Sequence, residues 1–166
     1  MEATDKIPEG WKKNPSRYSH RLQLMLLAFF GFVIAVYLGL YQLHIFASVW
    51  EPLFGSGSNQ VLHSSLAKKL PIPDSFIGAI SYFFDITLCI IGSELRWKTK
   101  PWVTITLGAG AAVFALSSLA LIIIQAFVVH AFCTLCLGSA FISFALVWPA
   151  TLEMRATLQY LKVLKQ

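Results

Sequence analysis

The chain has 166 residues, of which 57% are hydrophobic and 13% charged, against about 25% charged in an ordinary soluble domain. A water-soluble fold of this size could not hide so much apolar surface. The formal charge of +5 invites a nucleic-acid reading, but the basic residues are distributed as a membrane topology distributes them, so no nucleic-acid partner is needed.

In chain order, residues 1–21 are a charged tail, and residues 22–49 contain no Asp, Glu, Lys or Arg. About 20 apolar residues cross the hydrocarbon core, so this run is a first membrane helix. It is too long for a signal-peptide core and lacks a small-residue cleavage site, which makes it an uncleaved anchor. Residues 50–74 form an outer loop. Within it, Gly55-Ser56-Gly57-Ser58 reads as a turn with N-cap residues. Asn59 to Leu70 follows as a short amphipathic helix whose apolar set is Val61, Leu62, Leu66 and Leu70, a lid for the bundle mouth. Pro71-Ile72-Pro73 stops it, and Asp74 or Ser75 can cap the next helix.

Residues 75–95 are the second span, interrupted by one acid, Asp85, and residues 96–100 are a short cytoplasmic loop. The charge-free stretch of 52 residues from Pro101 to Leu152 is too long for one span. It divides into helices at 101–129 and 130–152, joined by a turn near His130, and residues 153–166 are a second tail. The expected fold is therefore all-α: a polytopic four-helix bundle in the lipid bilayer, with every backbone amide satisfied inside its own helix. If the N-terminus is cytoplasmic, eleven of the 13 basic residues lie inside and only Lys68 and Lys69 outside, which predicts both termini in the cytoplasm. Trp11, Tyr18, Trp97, Trp102 and Trp148 fall near predicted boundaries as an interfacial belt, and Gly108 to Ala112 permit close helix packing.

Chemistry concentrates at Cys133-Thr134-Leu135-Cys136. Three-residue spacing puts both sulfurs on one helix face, with Cys136 about 4.5 Å deeper than Cys133. Unpaired amides at a helix N-terminus favour a thiolate, which makes Cys133 the expected exposed nucleophile and Cys136 the membrane-facing partner. An inert structural disulfide and a metal site are the competing readings; His63 and His130 match no compact zinc spacing, so no metal is expected. Asp85 lies roughly 15 Å into the second span, where it either handles protons or bonds to Thr87, Ser117 or Ser118. His130 either accepts the proton of Cys133 or is merely solvated, and Cys89 reads as a core thiol.

The chain resembles the bacterial branch of the vitamin K epoxide reductase family, quinone-coupled membrane thiol oxidoreductases. The resemblance runs from about Leu22 to Thr151. It rests on Val61-Leu62-His63-Ser64-Ser65, then Pro71-Ile72-Pro73-Asp74-Ser75-Phe76-Ile77-Gly78-Ala79 leading to Tyr82, and Phe132-Cys133-Thr134-Leu135-Cys136-Leu137. It implies a bacterial inner membrane, catalytic Cys133 and Cys136, and ubiquinone or menaquinone as the electron acceptor. It also implies a quinone site at Ser64, Asp74 and Phe132, and a thioredoxin-like partner in the outer compartment. Members usually carry a second cysteine pair in the outer loop; Trp50 and Ser58 stand at those positions here, and the chain has only three cysteines. Two functions are open on this footing. Either a partner dithiol reduces the Cys133–Cys136 disulfide directly and quinone reoxidises it, or the bundle is an accessory subunit of a larger membrane complex.

Overall fold

A computed structural model describes residues 7–8, 10–64 and 73–164. Four long helices carry the fold: α1 (Tyr18–Gln42), α3 (Asp74–Ile90), α5 (Pro101–Ile124) and α6 (Thr134–Val163). A short α2 (Gly57–Leu62) lies in the loop between α1 and α3, α4 (Arg96–Thr99) is a single turn, and residues Gln125–Val129 extend α5 as a π-helical turn. α1, α5 with its π extension and α6 are long and apolar enough to cross a membrane. At 17 residues, α3 is about 25 Å long at 1.5 Å per residue, at the short end of the spanning range. Around the bundle α1 packs against α3 and α6, and α5 packs against α6 and α3.

The packing inverts the usual size order. Small residues fill much of the interior, among them Ala28, Ala35, Ala79, Ala111 and Ala150, while Phe29, Phe30, Ile80, Phe83, Leu116 and Phe141 point outward. In water that surface would be untenable; in lipid it costs nothing, and small interior residues let the backbones approach. Gly108 faces Met154 and the Ala150 carbonyl so closely that a Cβ would meet them, whereas Gly110 faces open space.

Tyr82 stands at the centre, fully buried. Its ring lies against Gly31 of α1, where a Cβ would collide with it, and edge-on to Phe114 of α5 at 4.9 Å. Its hydroxyl bonds across the bundle to the Ser139 carbonyl at 2.7 Å and the Ser143 hydroxyl at 2.9 Å, both on α6. One side chain therefore touches all four long helices.

The ends of the spans differ from the charge-free runs. α1 begins at Tyr18, which draws Arg21 into the helix, and ends at Gln42, with His44 left-handed at φ 63°. The uncharged residues after it, including Leu43, Ile45 and Phe46, form an exposed apolar loop. α3 stops at Ile90, ahead of Gly92 at φ 90°, and Pro73 rather than Asp74 or Ser75 occupies its N-cap, with Asp74 as the first helical residue. α6 continues past residue 152 to Val163, through Pro149. In the loop between α1 and α3, α2 runs from Gly57, so Gly57 and Ser58 are helical, and it ends at Leu62, so the helix expected from Asn59 does not continue through His63 and Ser64; its remainder, with Leu66 and Leu70, lies outside the described residues.

The opposite end of the bundle is held by charge. Arg21, buried, donates to the carbonyls of Cys89 (2.8 Å) and Gly92 (2.7 Å). Arg96, fully buried, donates to the Leu88 carbonyl and forms a 2.5 Å ion pair with the equally buried Glu153, which also accepts from the Ser16 hydroxyl. These donors satisfy carbonyls that the end of α3 leaves unpaired. Trp97 is buried edge-on to Tyr160 at 5.4 Å, so it belongs to the interior and not to the interfacial belt.

Candidate functional site

The first amides of a helix have no intrahelical partner, and at α6 the Thr134 amide turns to Glu51 and the Cys136 amide to Cys133. Cys133 is the N-cap; its sulfur accepts from the Cys136 amide at 3.1 Å, and the two cysteines form a disulfide with Cα atoms 5.2 Å apart. The segment before it is held by Gln125 of the π turn, whose side-chain oxygen accepts from the Cys133 amide at 3.1 Å. Gln125 is buried, and its carbonyl also takes the Ala131 amide. A π turn beside a reactive pair is a recurrent placement, because the extra residue re-aims the chain at the helix end.

Cys133 is fully buried and Cys136 only partly so. The expectation of an exposed Cys133 therefore fails, for a packing reason. Leu38 and Tyr41 at the end of α1 and Leu62 of α2 close over the sulfur in one apolar cluster. Gly57 sits so near the Phe132 carbonyl that a Cβ would collide with it, and Phe54 stacks obliquely on Phe132 at 5.6 Å.

Glu51 ties that cover down. Its carboxylate accepts from the Ser58 amide at 3.1 Å and hydroxyl, and from the Thr134 amide at 3.3 Å and hydroxyl. Burial pushes its carboxyl up, but the hydrogen bonds from Ser58 and Thr134 outweigh burial and hold it below the usual carboxylate range. Ser58 itself is fully buried.

The other predicted residues spread along the bundle. Ser64 closes the turn after α2, its amide on the Val61 carbonyl at 3.3 Å. The Asp74 carboxylate accepts from the Gln42 amide at 2.8 Å, and the buried side-chain oxygen of Gln42 has no partner among the described residues. Phe132 borders Cys133 directly. His130 is exposed in a left-handed conformation at φ 54°, in the turn that joins the last two spans. Asp85 lies eleven residues, roughly 16 Å, along α3 from Asp74, away from the disulfide. It is buried but not bonded to Thr87, Ser117 or Ser118; Thr87 and Ser117 donate to the Phe83 and Val113 carbonyls of their own helices. Cys89 is a buried free thiol. Among the described residues no cluster of three or more His, Cys, Asp or Glu could hold a metal ion.

A disulfide opening a long apolar helix, beneath a short loop helix, is thus the arrangement at this end of the bundle. Residues 22–151 match the family model described as vitamin K epoxide reductase family. The chain belongs to that family. No curated protein matches it significantly. Vitamin K epoxide reductase family members are multi-pass membrane thiol–disulfide oxidoreductases coupled to quinone, and the apolar helices found here accord with that membrane setting.

Gln125, Glu51 and the serines that hold Tyr82 were not legible as site residues. Glu51 carried one faint signal, as the only acid between Glu9 and Asp74.

Proposed function

We propose that the protein passes electrons from a partner dithiol through Cys133 and Cys136 to a membrane quinone. The observation that carries this reading is the Cys133–Cys136 disulfide at the start of α6, seated between α1, α2 and α6. A partner thiolate attacks one sulfur, a mixed disulfide forms, and the other cysteine leaves as a thiolate with the electron pair. The second partner thiol then displaces the first cysteine, and the chain is left with two thiols and the partner with a disulfide. Quinone, bound near the pair, supplies a two-electron, two-proton sink. The residues present fit such a group: Leu38, Leu62 and Val61 give apolar walls. The buried Gln42 oxygen is an acceptor with no donor among the described residues, suited to a quinol hydroxyl. Ser64, Asp74 and Phe132 are the further residues proposed to hold it, with Asp74 fixing the Gln42 amide. Asp85 and His130 are proposed at most to relay protons, from positions apart from the sulfurs.

The membrane placement proposed is the bacterial inner membrane with both termini cytoplasmic. The basic residues Arg17, Arg21, Arg96, Lys98, Lys100, Arg155 and Lys162 gather where α1 starts, α3 ends and α6 ends, which supports that orientation. A thioredoxin-like protein is the proposed partner on the outer side.

The decisive experiment starts from fully reduced protein in detergent, freed of reductant without air, and adds ubiquinone or menaquinone. Quinone consumed one-for-one with Cys133–Cys136 disulfide formation supports the reading. Persistence of the dithiol beside both quinones sinks it. A second reading, an accessory subunit of a membrane complex, draws on the full burial of Cys133 and the serine at position 58. It expects a Cys133→Ala, Cys136→Ala double variant to assemble and function normally in its complex.

A further inference from the structure

The outer segment contains a polar network that the redox pair does not itself require. Glu51 bonds to Ser58 and to Thr134, the residue after Cys133. These bonds make an anionic bridge from the loop to the first turn of α6. Three observations converge on what the bridge does. Cys133 has no exposed surface, Ser58 has none, and the start of α2 lies hard against the Phe132 carbonyl. A thiolate arriving from water meets the loop before it meets the Cys133 sulfur.

We infer that Glu51 is a positioning residue, a latch that clamps the Trp50–Leu62 segment over Cys133, and that this segment must lift before a soluble partner thiol can attack. The clause about the partner rests on the redox reading above; the clamp itself does not. The latch holds the loop through four donors shared between Ser58 and Thr134, so freeing it breaks charge-assisted hydrogen bonds, which are stronger than neutral ones. It also places a carboxylate at the amides of the α6 N-terminus. When the partner sulfur bonds to one cysteine and the Cys133–Cys136 bond breaks, the new thiolate competes with Glu51 for that same end of the helix. Glu51 thereby favours the closed disulfide over the open dithiol.

The test follows the cysteines one by one. Full-length reduced protein in detergent is treated with a small water-soluble alkylating reagent, and labelling of Cys133, Cys136 and Cys89 is timed separately by mass spectrometry. Glu51→Ala is expected to speed labelling of Cys133 by about tenfold or more, the factor that about 1.4 kcal/mol of lost latch would give, with Cys89 unchanged. Ser58→Ala, which removes one donor and keeps the charge, is expected to speed it less. Glu51→Gln is expected to raise the reduction potential of the pair, because the competing charge is gone. Equal Cys133 labelling in wild type, Glu51→Ala and Ser58→Ala overturns the proposal. So does a parallel rise at Cys89, since that reports general loosening of the bundle. Failure of quinone reduction with selective exposure of Cys133 intact removes the redox reading and leaves the latch standing.

Discussion

Glu153 and Arg96 have no exposed surface, and each is the other's counter-charge. Removing one member of such a pair strands the other in an apolar interior, which costs far more than the pair contributes. Glu153→Ala is expected to lower stability by about 3–5 kcal/mol, read as a fall in the thermal midpoint in detergent. A midpoint equal to wild type would refute the burial argument. The sequence showed both arginines at this end only as topology markers, because their counting says where charge lies relative to lipid and nothing of what it bonds. Glu51 was hidden for a related reason: one acid among loop residues has no period, and its partners Ser58 and Thr134 are 7 and 83 residues away. Its pH behaviour follows from the sign of its shift. The folded carboxyl titrates below the unfolded one, so its contribution is complete above the ordinary glutamate value of about 4.3 and disappears as pH falls through the lower folded value. Exchange protection of the Ser58 and Thr134 amides, corrected for intrinsic rates, is expected to be flat from neutral down to the ordinary glutamate value of about 4.3 and to be lost only below it. Loss of protection between pH 7 and 5 would contradict the assignment.

The four long helices were legible as apolar runs, one of them broken by Asp85, and the small-residue stretch on α5 as a packing surface. What the runs could not give was where each helix ends. The uncharged chain after Gln42 turns off through a left-handed His44, and α6 carries charged residues such as Glu153 into its buried face. Hydropathy measures affinity for lipid, and an apolar loop or a buried ion pair escapes it. The same small-residue stretch splits by face: Gly108 meets α6 and Gly110 meets nothing. Gly108→Ala should destabilise the α5–α6 contact by about 1–3 kcal/mol, while Gly110→Ala should be neutral or slightly stabilising. Paired thermal midpoints decide it, and equal effects at the two positions would contradict the packing described. At the site, the two cysteines and the loop helix were legible from spacing and family likeness. The burial of Cys133 was not, because it is made by Leu38, Tyr41 and Leu62, which are distant in sequence.

At the scale of the whole molecule Tyr82 joins all four long helices, and Tyr82→Phe tests that junction with a single oxygen atom. The loss expected is about 1–2 kcal/mol, from bonds to Ser139 and Ser143 given up while those groups stay buried. A variant as stable as wild type would mean that the serines satisfy each other without it. The hub also has a consequence in time. Ser139 and Ser143 are synthesised 57 and 61 residues after Tyr82, and Glu153 comes 57 residues after Arg96. Until α6 is made, the Tyr82 hydroxyl lacks its serine partners and Arg96 lacks its counter-charge. The final packing of α1, α3 and α5 thus waits for α6, which closes the Tyr82 and Arg96 contacts together.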